Sequence, residues 1–169
     1  MIIKEIVNRR SVREYDPRPV SQEHIIEIIK AGQFAPTARN NRAVEFITIE
    51  NQETKDKIFG IVGQEFVRQA PVLIIPTIDL EKTVCPIEDL SVASENMLLQ
   101  ATSLELGSVW KAVKTADEEK GIKQLLNIPQ SYKIINLIPI GYWQIKPEFH
   151  SDQDFDQKRI YSEKWEIRE

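Results

Sequence analysis

Two spacings of apolar residues alternate along the chain. Over residues 22–31, Ile25, Ile26, Ile28 and Ile29 recur at helical spacing behind Ser21, a good N-cap, and Gly32 supplies the stop. Residues 44–50 alternate apolar and polar side chains, which predicts a strand. Helical spacing returns over 52–62, with Ile58, Phe59 and Val62 expected inward. Residues 71–78 are almost continuously apolar, as in a central strand covered on both faces, although Pro76 removes one ladder donor. The clearest helix covers 89–106, where Leu90, Ala93, Met97, Ala101 and Leu104 share one face and Val92, Leu98 and Leu99 widen it. Its small residues, Ala93, Ser94, Ala101 and Ser103, allow another backbone to approach closely. This helix is therefore expected at the centre of one subunit or shared by two. Gly107 ends it, and Ser108-Val109-Trp110 leaves as an extended segment. A shorter amphipathic helix follows at 117–126, closed by Asn127-Ile128-Pro129, and then an apolar strand at 132–143.

The tail, residues 146–169, is polar but carries Phe155, Tyr161 and Trp165, so it is expected to dock, with a partner subunit as the natural surface. No repeat, low-complexity tract or linker divides the 169 residues, which predicts one domain over 1–169 with a real core. The net charge of −4 argues against a general nucleic-acid binder, so any basic cluster acts locally. Cys85 is the one cysteine, which excludes an intrachain disulfide and fits a reducing cytoplasm; with no second thiol to resolve it, it reads as structural or incidental. Two histidines and one cysteine show no metal-ligand spacing, and His24 reads as an exposed helix residue. No apolar run nears the roughly 18 residues of a membrane span. Glu118, Glu119 and the other carboxylates read as solvated helix faces.

Chemistry concentrates near the amino end. Arg9-Arg10-Ser11-Val12-Arg13 places three guanidinium groups and a hydroxyl within five residues, between an Ile/Val-rich segment at 1–7 and the turn Asp16-Pro17-Arg18-Pro19. Guanidinium forks suit phosphate or carboxylate, and at an element boundary free backbone N–H groups add to them. Taken alone, such a trio also reads as a solvated basic patch. A second polar stretch, Phe34 to Arg42, holds Pro36, Thr37, Asn40 and Asn41, whose side chains bond nearby backbone or a ligand.

In this order the pieces resemble the nitroreductase family of flavin-dependent oxidoreductases. The resemblance runs through Arg9-Arg10-Ser11-Val12-Arg13, Ala35-Pro36-Thr37-Ala38-Arg39-Asn40, and the long helix closing in Leu106-Gly107-Ser108-Val109-Trp110. It continues through Leu125-Leu126-Asn127-Ile128-Pro129, Ile138-Pro139-Ile140-Gly141-Tyr142 and Tyr161-Ser162-Glu163-Lys164-Trp165, nearly the whole chain. It implies an α+β fold with a central, mainly antiparallel sheet flanked by helices, in an intertwined homodimer holding FMN at the subunit interface. Position by position, Arg9, Arg10 and Ser11 match residues for the flavin phosphate and ribityl chain, and Arg13 matches the one facing the pyrimidine edge. Pro36, Thr37, Ala38 and Asn40 match a segment supplied by the opposite subunit. Val109, Trp110 and Lys111 fall near a third, less defined segment; for the family's late phosphate-binding arginine the candidates are Lys146 and, much later, Arg159, of which Lys146 is taken.

The implied activity is transfer of reducing equivalents from NAD(P)H through FMN to a nitroaromatic, quinone or flavin by alternating half-reactions. A flavin carries that chemistry at N5, which accounts for the lack of a visible catalytic dyad or triad. Specialised flavin chemistry, dehalogenation or flavin cleavage, and FMN binding without turnover are the alternatives. Two departures stand out. The family's Gln-Pro-Trp after the Asn is here Arg42-Ala43-Val44, and little room for an inserted lid lies between Asp79 and Asp89. The expected pocket is open, or completed by the tail.

Overall fold

The computed structural model describes residues 2–165; residue 1 of the amino-terminal segment and residues 166–169 of the tail lie outside the described residues. In chain order come α1 (Lys4–Asn8), α2 (Gln22–Gln33), β1 (Val44–Ile49), α3 (Gln52–Val62), α4 (Glu65–Gln69), β2 (Val72–Asp79) and α5 (Pro86–Ser103). Then follow β3 (Gly107–Ser108), β4 (Lys111–Ala112), α6 (Ala116–Leu126), β5 (Tyr132–Lys133) and β6 (Asn136–Gly141). The sheet runs β1-β2-β6-β3, with β4 also on β6 and β5 also on β2, and every named pair is antiparallel. This is the α+β architecture that the resemblance implies.

Strand β2 is buried nearly throughout because helices cover both sheet faces. Its successive side chains point to opposite sides. Val72 and Ile74 join Ile25, Ile28, Met97 and Ile138 under α2 and α5, while Leu73 and Ile75 join Ile58, Val67, Ile122 and Leu137 under α3, α4 and α6. Pro76 is tolerated because β2 has no partner beside it on one edge. There β6 pairs only Val72 to Ile74 and β5 only Ile78 and Asp79, so no donor is missed.

The expected strand over 132–143 is two strands. Ile78 faces Lys133 whereas Ile74 faces Ile138, so one extra residue bulges out around Ile134 and Ile135. The bulge is tied down from α6: the Ile134 N–H donates to Glu119 Oε1 at 3.2 Å, and Glu119 also binds Lys123 Nζ at 3.0 Å and Lys133 Nζ at 2.6 Å. Glu118 accepts from the Lys114 N–H at 2.9 Å and from Lys111 Nζ at 3.1 Å. Glu118 and Glu119 are thus half-buried clamps rather than solvated helix residues, and only their tertiary partners reveal it.

Three further expectations shift. Helix α5 starts three residues early because Pro86 suits the first helical position, and it ends at Ser103 rather than 106. Gly32 does not stop α2 but lies buried within it, where an added Cβ would fall 2.9 Å from the Phe46 ring and 3.0 Å from Met97 Cγ. Ile26 and Val92 face outward, and Phe59 is half-buried against Arg68, 4.2 Å from guanidinium carbon to ring centroid.

For both glutamates, burial pushes the pKa up, but the lysine ammoniums and backbone N–H donors outweigh it and hold the carboxyls below the ordinary glutamate value. A folded-state pKa below the unfolded one stabilises the fold above the unfolded pKa, and that stability is lost as pH falls through the folded one. Stability should therefore decline on acidification below the usual glutamate range, about 4.3. Glu119→Gln should be less stable at neutral pH and show a shallower decline, measured by urea denaturation across pH; an unchanged slope would remove Glu119 from the linkage.

Candidate functional site

The basic stretch lies along the end of the sheet because two glycines let it. Gly107 of β3 and Gly141 of β6 face each other in register. A Cβ on Gly107 would sit 2.7 Å from Val12 Cγ1, and one on Gly141 would sit 2.5 Å from Pro71 Cδ and 3.0 Å from Tyr15 Cδ1. In the space so opened, Ser11 bridges Ser108, the Val12 N–H donates to the Ser108 carbonyl at 3.0 Å, and Tyr15 bridges Trp143. Val12, Tyr15 and Ala70 form a small core beneath, with Phe66 and Trp143 against it. The Tyr15 hydroxyl donates to the Val12 carbonyl at 2.7 Å, with the Pro139 carbonyl 3.2 Å away. Burial drives its pKa far up, against the pull of the nearby Arg13 charge, so the hydroxyl stays a donor. Val12 and Tyr15 anchor the stretch from below, and its guanidinium groups are left on the outer side.

Arg9 is half-buried with Nε 3.8 Å from Glu95 of α5. Arg13 is exposed, its guanidinium carbon 5.8 Å from the Phe66 ring centroid and NH1 3.5 Å from the Ser11 carbonyl. Ser11 is also exposed. Arg10 meets the tail: NH1 lies 3.2 Å from His150 Nδ1 and 3.4 Å from Nε2, and His150 Nδ1 lies 3.1 Å from Asp154 Oδ2. Arginine only donates and a carboxylate only accepts. The imidazole therefore sits between a donor and an acceptor. The His150 N–H donates to the Val7 carbonyl at 3.0 Å, so the tail's first part rests on its own amino-terminal segment; Phe155 and Trp165 further on are exposed.

Two cavities flank the cluster. One, of about 210 Å³, is lined by Arg10, Val12, Trp143, Lys146 and Phe149 among others; the other, of about 780 Å³, by Val7, Arg9, Glu95, His150 and Asp154. Lys146, exposed, rests its ammonium 5.3 Å from the Phe149 ring centroid.

Pro36, Thr37, Ala38 and Asn40 belong to a loop that lines neither of these two cavities, where a turn of 3-10 helix spans Ala38–Asn40. Arg39, Asn40 and Arg42 all adopt left-handed backbone, with φ of 54°, 54° and 51°. Such strain persists only where the surroundings over-determine it. Buried Asp89, in the first turn of α5, supplies the constraint: it accepts from the Ala38 N–H at 2.8 Å, the Thr83 hydroxyl at 2.6 Å and Asn41 Nδ2 at 3.4 Å. The Thr37 hydroxyl accepts from the Arg42 N–H at 3.1 Å. A cavity of about 680 Å³ is lined by Phe34, Pro36, Thr37, Asn40, Arg42 and Val44 among others. Among the described residues, no hydrogen bond or ion pair joins this loop to the arginine cluster of the same chain.

The third segment lies inward. Val109 is buried with its N–H 3.4 Å from the Pro139 carbonyl, and Trp110 packs half-buried on the core under α2 and α5. Lys111 is buried, and its ammonium donates to the Ala112 carbonyl at 2.6 Å and to Glu118. Its charge is neutralised inside the chain. Sequence reading missed Glu95, His150, Asp154 and Asp89. Arg10 and His150 are separated by 140 positions, and no local pattern announces such a pairing. Asp89, four positions into a helix beginning at Pro86, looks like any acidic first-turn residue.

Helices flank an antiparallel sheet that carries a ledge of arginines, an α+β protein with a basic stretch beside its sheet. The chain belongs to the nitroreductase family, whose family model matches residues 6–65 and 61–142. It is 37% identical over 170 residues to a Methanothermobacter thermautotrophicus protein provisionally named NADH dehydrogenase/NAD(P)H nitroreductase, covering 97% of this chain and 87% of that one. Over 90 residues it is 38% identical to the FMN reductase [NAD(P)H] of Bacillus subtilis, covering 53% of this chain and 36% of that one. The structure of an FMN-dependent nitroreductase from Clostridium difficile R20291 superposes with a TM-score of 0.91 at 30% identity, covering 97% of this chain and all (100%) of that one.

Proposed function

We propose that this protein is an FMN-dependent NAD(P)H oxidoreductase of the cytoplasm, acting as a homodimer. The observation that carries the reading is the 9–13 stretch, held over paired Gly107 and Gly141 with its guanidinium groups outward. The donor set fits the cofactor: a phosphate dianion calls for charge-assisted donors, and Arg9, Arg10 and Ser11 supply them without a metal. When bound, FMN would supply the redox chemistry, taking a hydride from NAD(P)H and passing electrons to a small nitroaromatic, quinone or flavin in a second half-reaction. Arg13 would stabilise negative charge at the pyrimidine edge. Pro36, Thr37, Ala38 and Asn40 would close the site on the partner's cofactor, a role supported by their separation from the chain's own arginines. Val109 and Trp110 would shape its inner wall, Lys111 would brace that wall through Glu118, and Lys146 would add a cation beside Arg10.

Dimerisation is supported by apolar side chains left exposed in one chain, among them Ile2, Ile3, Ile6, Phe34, Ile87 and Phe155. Sedimentation of the intact protein should give a dimer, and deleting residues 151–169 should loosen it; a monomer would sink the shared site. Reductase chemistry is favoured over dehalogenation because only residues 80–85 connect β2 to α5, with no inserted lid. None of the described helices is long and apolar enough to cross a membrane.

The deciding experiment is an absorption spectrum of the purified protein followed by anaerobic NADH or NADPH. A flavin spectrum that bleaches is expected; a flavin that stays oxidised would point to binding without turnover, and no flavin after reconstitution would overturn the reading. Arg9→Ala should weaken FMN binding by about 2 kcal/mol, the scale of one charge-assisted bond. Fluorescence titration reads this directly, and an unchanged Kd would remove Arg9 from the phosphate site.

A further inference from the structure

The arginines fall into two classes. Arg9, Arg18, Arg68 and Arg159 each sit within 4 Å of a carboxylate, Glu95, Asp16, Glu65 and Asp156 respectively. Among the described residues, Arg10, Arg13, Arg39 and Arg42 have no carboxylate within 4 Å, although the Arg10 charge still acts on Asp154. In a chain of net charge −4, carboxylates are not scarce. The unpaired guanidinium groups are confined to two segments: Arg10 and Arg13 in the stretch assigned to the cofactor, and Arg39 and Arg42 in the strained loop.

Arg39 makes no side-chain hydrogen bond among the described residues, and Arg42 Nε reaches only the Asn40 side-chain oxygen at 3.4 Å. Both are exposed, and both adopt left-handed backbone that Asp89 and Thr37 enforce. Arg42 and 81%-exposed Phe34 both line the cavity of about 680 Å³, a volume suited to a small molecule, and Arg39 lies three positions before Arg42 on the same loop. A rigid backbone carrying unneutralised forks beside an open aromatic face is suited to a planar molecule that bears an anionic group.

We propose that Arg39 and Arg42 form an anion-recognition pair for the substrate that meets the flavin, selecting molecules with a phosphate or carboxylate beyond the reacting ring. The inference rests on the flavoenzyme reading. The anion has two possible sources, the additional phosphate of NADPH or a carboxylate on the acceptor. Neither arginine is assigned to the cofactor, so replacing them leaves FMN binding and turnover of uncharged partners in place.

The test compares wild type with the R39Q/R42Q double variant, after the visible spectrum shows equal flavin content. Steady-state kinetics give kcat/KM for NADPH against NADH, and for 4-nitrobenzoate against 4-nitrobenzyl alcohol; calorimetric titration of the oxidised protein with NADP+ and NAD+ gives a readout independent of turnover. The expected result is a fall of about 10- to 100-fold in preference for the charged member of one pair, the scale of one or two charge-assisted bonds. A fall confined to the nucleotides, in kinetics and titration alike, assigns the pair to the reductant; a fall confined to the nitroaromatics assigns it to the acceptor. If wild type is reduced normally and the variant leaves both ratios within twofold, or lowers charged and neutral members equally, the anion pair is overturned. Wild type that takes up no flavin overturns the preceding reading instead.

Discussion

Gly141→Ala should destabilise the protein by about 3 kcal/mol, the upper end of ordinary overpacking, and should cost it bound flavin as well. The added methyl carbon would lie 2.5 Å from Pro71 Cδ and 3.0 Å from both Pro71 Cγ and Tyr15 Cδ1. Pro71 is a closed ring just before β2, and its place is set: Lys55 Nζ donates to the Ala70 carbonyl at 2.7 Å, with the Pro71 carbonyl 3.3 Å away. Tyr15 is the softer neighbour, but its hydroxyl is committed to Val12. If Tyr15 yields, the 9–13 stretch shifts with it and its guanidinium groups leave their positions. Loss of stability and loss of flavin should therefore appear together. Gly60→Ala is the matching control, since a Cβ there meets nothing within 4 Å and the residue lies inside α3, where alanine is favoured. Urea denaturation and flavin occupancy measure both variants. A Gly141→Ala protein of unaltered midpoint would mean that the glycines do not set the ledge.

Much of the fold was legible because its elements obey local rules. Helix α3 has the predicted bounds, with Asn51 as N-cap and left-handed Gly63 at its end. The apolar run of β2 was legible as a central strand. What misled was tertiary. Gly32 carries the ordinary signature of a helix stop, yet it is a close-packing residue against Phe46 and Met97. The single apolar run at 132–143 hides a one-residue slip, because periodicity does not record which stretch of β2 each half meets. Glu118 and Glu119 look solvated in sequence because Lys111 and Lys133 lie outside α6, on β4 and β5.

At the site, the arginine stretch and the loop were legible as motifs, whereas their supports were not. Gly107 and Gly141 matter as a facing pair, and Arg10 meets His150 from across the chain. A motif names the atoms that touch a ligand, but the residues that hold those atoms follow from the topology. Asp89 is the clearest of these.

Asp89→Ala should destabilise the protein by roughly 3 kcal/mol, since it leaves the Ala38 N–H and the Thr83 hydroxyl without their acceptor at a buried position. The larger consequence is local. Arg39, Asn40 and Arg42 hold left-handed backbone only while the loop is pinned, and relaxing three such residues recovers on the order of 1 kcal/mol each. Once Asp89 is gone, that strain favours opening. Trypsin should then cut after Arg39 or Arg42 at least tenfold faster than in wild type, and FMN should bind more weakly although the arginine cluster is untouched. Asp89→Asn separates size from charge: one side-chain oxygen still accepts from Ala38, while the amide that replaces the other must face Thr83, whose hydroxyl already accepts from the Cys85 N–H at 3.1 Å. Its loss should be smaller, about 1–2 kcal/mol, with intermediate proteolysis. Wild-type cleavage rates in both variants would show that the loop holds its strained shape without Asp89. The same rates with FMN affinity nonetheless reduced would place Asp89 closer to the cofactor than this chain's own geometry does.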